Sequence, residues 1–181
     1  MKAIILLANG FEECEALTPA DVLRRAEVEV SLVAVGEELT VTGAHGIKVL
    51  ADMMINDIDD TVPDVLILPG GLKGTEGLKE SNQVKKLIEN SANEGSYIAA
   101  ICAAPSILGE MGYLDGRNIA CYPGFEKYME LANRTGEKIE VDDIFITAEG
   151  MGVSLEFALK ITELLLGSNV SSDIADKIRM A

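Results

Sequence analysis

With 181 residues, 48% of them apolar and 25% charged, the chain has the length and composition of one soluble globular domain that can bury a full core. Thirty acidic residues against fifteen basic ones give a formal net charge of −15, which repels phosphate backbones and anionic membrane surfaces, so no nucleic acid and no membrane partner is expected. Cys14, Cys102 and Cys121 form no C-x-x-C pair, which points to neither a disulfide framework nor a metal site and suits a reducing cytoplasm.

In chain order, the apolar run Ala3–Ala8 reads as a buried strand, because Asn9, Gly10, Phe11, Glu12 and Glu13 follow where a signal peptide needs its cleavage region. No run approaches the length of a membrane span. A helix is predicted over Glu15–Ala26 and a strand over Val28–Val35. Between Val35 and Asp60 the helical pattern fails; Leu39–Thr42 and Ile47–Leu50 flank the turn Gly43-Ala44-His45-Gly46 and predict an inserted β-hairpin. Strands at Val65–Leu68, Tyr97–Ile101, Ile119–Cys121 and Ile144–Thr147 then alternate with helices at Asn82–Glu94, Pro105–Met111, Gly124–Leu131, Ser154–Leu166 and Ser171–Arg179. The alternation predicts an α/β fold with a mostly parallel sheet covered on both faces. No linker or repeat interrupts it, so residues 1–181 are read as one domain.

The run Tyr97-Ile98-Ala99-Ala100-Ile101-Cys102-Ala103-Ala104-Pro105 carries the most chemistry. An apolar strand stops at one cysteine, and small residues lead into a helix. That is the pattern of a strand–turn–helix nucleophile elbow, in which small neighbours leave the backbone room to bend. The helix that follows would aim its positive end at the sulfur and favour the thiolate. The plain alternative is that Cys102 is a small buried hydrophobe ending a core strand.

Ligands of open parallel sheets bind beyond the carboxyl ends of the strands. Three loops leave such ends: Asn9 to Glu15, Pro69-Gly70-Gly71-Leu72-Lys73-Gly74, and the turn at Cys102. A carboxylate, a glycine-rich backbone and a thiol should therefore meet in one crevice. Glu12 and Glu13 are read as acids that complement a helix N-terminus. Glu15 falls at the helix start, where it can turn inward. Gly70 and Gly71 supply either a tight turn or backbone N–H groups for an oxyanion hole.

Together these residues resemble a known family. Gly10-Phe11-Glu12-Glu13-Cys14-Glu15, Pro19-x-Asp21-Val22-Leu23-Arg24-Arg25-Ala26, Leu68-Pro69-Gly70-Gly71, Ala99 to Pro105 and Gly150-x-Gly152-x-Ser154-x-Glu156-Phe157-Ala158-Leu159 are similar to the ThiJ/PfpI superfamily, in the branch of the Parkinson's-associated protein deglycase and bacterial ThiJ-like proteins. The motifs fall in the family's order over nearly the whole chain. The resemblance implies a flavodoxin-like three-layer sandwich of the class I glutamine amidotransferase-like type, and a homodimer. It implies that Cys102 is the oxidation-sensitive cysteine and that a protonated Glu15 carboxyl hydrogen-bonds its sulfur. Gly70, Gly71 and the Ala103 N–H would form the oxyanion-like pocket.

Two departures bear on activity. Tyr122 stands where the family often has histidine, and Ala103 stands where its protease and chaperone branches place one. The chain's one histidine, His45, lies on the predicted hairpin, so neighbouring residues build no Cys-His triad, which counts against peptidase or amidotransferase activity. His45 is either a cross-dimer neighbour of Cys102 or a solvated hairpin-tip side chain. Cys14 and Tyr122 are candidate pocket neighbours, and Cys121 is read as ending a buried strand. Two functions share this pocket. One is cofactor-independent conversion of small α-oxoaldehydes such as methylglyoxal, with Cys102 as nucleophile and Glu15 as proton carrier. The other is a non-enzymatic redox sensor or redox-regulated chaperone that works through oxidation of Cys102.

Overall fold

The computed structural model describes residues 1–58 and 62–180, so the predicted irregular stretch ending at Asp60 runs partly outside the described residues. Strand β1 (Lys2–Leu7) leads through a tight loop into α1 (Glu13–Arg25) and back along β2 (Glu29–Ala34). A hairpin of β3 (Thr40–Thr42) and β4 (Lys48–Leu50) follows, then the short β5 (Met53–Met54). Next come β6 (Val65–Leu68), α2 (Leu72–Glu80), α3 (Asn82–Asn93), β7 (Tyr97–Ile101) and α4 (Pro105–Glu110). The chain ends with β8 (Asn118–Ile119), β9 (Asn133–Arg134), β10 (Ile139–Asp142), β11 (Phe145–Ala148), α5 (Ser154–Leu166) and α6 (Ser168–Lys177).

Seven strands form the central sheet in the order β10-β11-β7-β6-β1-β2-β5, parallel except for the antiparallel edge strand β10. Side-chain alternation on the strands splits the core into two layers. Ile5, Leu7, Ile67, Ala99 and Ile101 pack with Ala16, Ala20 and Leu23 of α1 and Phe157, Ile161 and Leu165 of α5. Ile4, Leu6, Leu66, Leu68, Ile98 and Ala100 pack on the other face with Leu78 of α2, Val84 and Ile88 of α3, and Ile107 and Leu108 of α4. Helices therefore cover both faces of a mostly parallel sheet, as the sequence predicts. No helix among the described residues is long and apolar enough to cross a membrane.

Several elements differ from the prediction, the two-residue strands β5 and β9 among them. Helix α2 was read as a loop because Gly74 and Gly77 each lower helix propensity by about 1 kcal/mol. Both glycines are packing requirements: a Cβ on Gly74 would lie 2.7 Å from Phe11 Cα, and one on Gly77 would lie 3.0 Å from Ala8 Cβ. The predicted helix Gly124–Leu131 is reduced to a single 3₁₀ turn at Glu126–Tyr128, which ends where Met129 leaves helical backbone at φ −140°, ψ 48°. Met129 still reaches the core from that turn, through the space Gly109 leaves on α4. The predicted strand Ile119–Cys121 is shortened to β8, which pairs with β9 outside the main sheet. The edge strand β10 was not foreseen; four residues with little burial carry a weak signal.

Strand β1 lies where the strand order reverses, with β2 on one side and β6 on the other, the usual ligand-binding position of such sheets. The hairpin folds over this end. Gly10 N–H donates to Thr42 O at 2.7 Å, Ala44 N–H to Phe11 O at 2.8 Å, and Thr42 N–H to Asn9 Oδ1 at 2.9 Å. Glu13, only 5% exposed, completes the attachment: its Oε1 accepts from the N–H groups of His45 (2.8 Å) and Ile47 (3.4 Å), and its Oε2 meets His45 Nδ1 at 3.0 Å. This contact requires glycine at position 43, where a Cβ would lie 2.4 Å from Glu13 Oε1. Gly43→Ala is therefore expected to destabilise the fold by about 1–3 kcal/mol and to speed amide exchange across residues 40–50. Unchanged stability and exchange would show that the hairpin is not held through Glu13.

Candidate functional site

Strand β7 does not run on past Ile101. Cys102 turns the chain with φ 65°, one of four non-glycine residues at positive φ among those described. The conformation is uncommon for an L-residue and costs on the order of 1 kcal/mol or more. Surrounding backbone holds it: Cys102 N–H donates to Ala148 O at 2.9 Å, and Tyr122 N–H donates to Cys102 O at 2.9 Å. The elbow read from the small residues around Cys102 is therefore present. Its helix starts late, at Pro105, and runs for six residues.

The loop after β6 approaches the elbow more closely than any side chain permits. A Cβ on Gly70 would lie 2.7 Å from both Cys102 Cβ and Glu15 Oε2, and one on Gly71 would lie 2.3 Å from Gly10 O. Gly71 also takes φ 86°, which glycine adopts without strain. This close approach brings the N–H groups of Gly71 and Ala103 onto the Cys102 sulfur. The Gly70 N–H is used differently from expectation: it donates to Glu15 Oε2 at 2.8 Å and orients the carboxyl rather than the sulfur.

Glu15 projects from the first turn of α1 into the interior and is fully buried. Among the described residues its Oε1 has no hydrogen-bond partner, which penalises the ionised carboxylate more than the neutral acid. Burial pushes its pKa up to about 7, against the pull of the Gly70 N–H and the Cys102 side chain. The Cys102 thiol is pushed up to about 12, by burial first and then by the Glu15 carboxylate, against the Ala103 and Gly71 N–H groups. This corrects the expectation of a thiol lowered by a helix N-terminus, since α4 is short and begins three residues on. The two groups exclude each other's charge, so between about 7 and 12 the pair holds one proton. In that range the proton rests mainly on Cys102 beside an ionised Glu15, and its transfer to Glu15 gives a thiolate held by two backbone N–H groups.

The pair opens onto a cavity of about 830 Å³, which Cys102 and Ala103 line together with Glu12, His45, Tyr122 and Lys73 among others. Tyr122, half exposed, packs edge-on against Phe125 at 6.5 Å and forms one wall. His45 shares the cavity with Cys102 on the same chain. Its ring is engaged by Glu13 at 3.0 Å and Glu12 at 3.6 Å, and no hydrogen bond joins it to sulfur among the described residues. Glu13 raises the His45 pKa through that hydrogen bond, helped by the charge of Glu12. Burial pushes Glu13 up, but His45 and the hairpin N–H groups outweigh it and hold the carboxyl low. Glu12, Glu13 and His45 bring three metal-ligating atoms within 4.8 Å of one another, with the Glu13 oxygens already occupied by the hairpin. Glu13 is thus a structural clamp, a role its sequence position did not reveal.

Cys14 lies outside this cavity. It is exposed on α1 and lines a separate groove with Leu17, Ile47 and Leu155. Cys121 is buried just beyond β8, and burial raises its pKa to about 11.

Comparison with known proteins agrees with this arrangement. The DJ-1/PfpI family model matches residues 1–164. Protein DJ-1 homolog B of Arabidopsis thaliana is 36% identical over 99% of the chain. The chain spans only 41% and 45% of the lengths of that protein and of homolog A from the same plant. A Caenorhabditis elegans protein named as a glutathione-independent glyoxalase is 30% identical over 98% of this chain and 95% of its own length. The solved structure of a DJ-1 superfamily protein from Salmonella typhimurium superposes with a TM-score of 0.95 at 30% identity, covering 99% of this chain and 98% of that one. The chain belongs to the DJ-1/PfpI family, within its DJ-1 branch.

Proposed function

We propose that the chain is a cofactor-independent enzyme of the glyoxalase/deglycase type, which converts α-oxoaldehydes such as methylglyoxal to hydroxy acids in defence against carbonyl and oxidative stress. The observation that carries this reading is the buried Glu15 carboxyl beside the side chain of Cys102, which lines an open cavity of about 830 Å³. The glyoxalase name of the nematode relative agrees with it.

The chemistry needs no external oxidant. With Glu15 protonated, a sulfur lone pair of Cys102 adds to the aldehyde carbon. The carbonyl π pair moves to oxygen, which takes the Glu15 proton and gives a hemithioacetal. The Glu15 carboxylate then removes the hydrogen from the former aldehyde carbon, and the freed electron pair moves toward the adjacent ketone. The hydroxyl proton on the first carbon's oxygen passes to the former ketone oxygen as that first carbonyl re-forms, and return of the abstracted proton to the second carbon leaves a 2-hydroxyacyl thioester on Cys102. Water cleaves the carbon–sulfur bond, releasing the hydroxy acid and the thiol. One substrate carbon is oxidised while its neighbour is reduced, so the sum is oxoaldehyde plus one water. An acid/base group with a pKa of about 7 suits both proton transfers near neutral pH.

Two outcomes follow for Glu15→Gln. The amide keeps a donor but carries no exchangeable acid proton, so kcat/KM for lactate formation from methylglyoxal should fall roughly a hundred- to ten-thousand-fold; Cys102→Ser should abolish it. Turnover that survives in Glu15→Gln would remove Glu15 from the mechanism. A two-oxygen adduct on Cys102 after dilute peroxide, with no turnover in the wild type, would replace catalysis by redox sensing. Stability follows a sign of its own. The folded-state pKa of Glu15, about 7, lies above its ordinary 4.5. Its contribution is therefore full below about 4.5 and is lost as pH rises through 7. Glu15→Gln should be more stable than the wild type at pH 8 by about 1–3 kcal/mol, with the gap closing toward pH 5. Urea denaturation at both pH values checks this, and a variant equally stable or less stable at pH 8 would contradict it.

A further inference from the structure

Gly150 lies two residues beyond β11, in the Gly150-x-Gly152 segment that the proposed mechanism does not use. Its φ of 161° is extended backbone that any residue adopts, so conformation does not demand glycine there. The residue is buried, yet a Cβ built on it would meet only two atoms within 4 Å beyond its chain neighbours, among the described residues. These are Tyr122 Cδ2 at 3.5 Å and Cys102 Sγ at 3.9 Å. Backbone, aromatic ring and sulfur thus border a space that takes one methyl group at ordinary contact distance. The ring is held in place by the Tyr122 N–H bond to Cys102 O and by edge-on packing against Phe125.

We propose that this space is the recess for the substituent of the substrate, and that Gly150 and Tyr122 set which α-oxoaldehydes the site accepts. The inference rests on aldehyde addition to Cys102, the first step of the proposed function. In the hemithioacetal of methylglyoxal the methyl group lies three bonds from sulfur, within reach of the recess, and the Tyr122 ring gives it an apolar wall. Glyoxal carries hydrogen at that position and leaves the recess empty. With that methyl seated against the ring, the site favours methylglyoxal over glyoxal.

Gly150→Ala tests the recess, since the added methyl fills it without strain; a thermal melt confirms that the variant folds. Its kcat/KM ratio of methylglyoxal to glyoxal should fall about tenfold or more, because one methyl group in an apolar pocket is worth at least that in selectivity. Addition is read separately from turnover by the protection each aldehyde gives Cys102 against alkylation, followed by peptide mapping, and the same shift in ratio is expected there. Equal losses for both aldehydes, with turnover intact in the wild type, would overturn the recess alone. Protection with a shifted ratio but no turnover in the wild type would support the recess and overturn the catalytic reading. Protection by neither aldehyde would overturn both.

Discussion

A sulfur at the end of a parallel strand would ordinarily face into the sheet. Turning the chain at Cys102 to φ 65° lifts it out toward the cavity instead, in a conformation that L-residues adopt at a cost. Much of the site accommodates that one turn. The Ala148 and Tyr122 backbone bonds hold it, and the small residues Ala103 and Ala104 leave it room. Gly70 and Gly71 come so close that neither tolerates a side chain. The result is a sulfur fixed between two N–H groups and directly beside a buried carboxyl.

That proximity converts two acids into one ionisable unit. Burial opposes charge on both groups, and each opposes charge on the other. Glu15 ionises first, so the remaining proton rests mainly on the sulfur, and two N–H donors stand ready to hold the thiolate when that proton passes to Glu15. The reactive thiolate then arises by proton transfer from Cys102 to Glu15 and not from a thiol of low pKa. A helix dipole is not needed for this, which fits the late start of α4. The hairpin is a separate device. Glu13 ties it over the site through three contacts and leaves His45 on the cavity wall.

The elements with strong periodicity were legible in the sequence. Val65–Leu68, Tyr97–Ile101 and Ser154–Leu166 stand at the predicted positions, because buried strands and an amphipathic helix leave an unmistakable apolar pattern. Helix α2 was hidden because its glycines obey packing rather than propensity. The 124–131 segment misled for the converse reason: Phe125 and Met129 have helical spacing, but a single turn already delivers Met129 to the core and the backbone leaves the helix there. Cys102 was legible from its small neighbours, and Glu15 from its place at a helix start. The roles of Glu13 and Gly43 were not, since they depend on a hairpin 30 residues away in sequence folding back onto α1. The same holds for Gly150, whose significance lies in an unfilled space that only the packed structure defines.

The account turns on one proton shared by Cys102 and Glu15, and thiolate ultraviolet absorbance as a function of pH measures it directly, with Cys14 and Cys121 replaced by serine and alanine respectively. The wild-type thiolate absorbance should rise in two steps, a small one near 7 and the main one near 12. With Glu15→Gln the carboxylate that raises the thiol is gone, so the two steps should merge into one well below 12. Identical titration curves for the two proteins would contradict the shared proton.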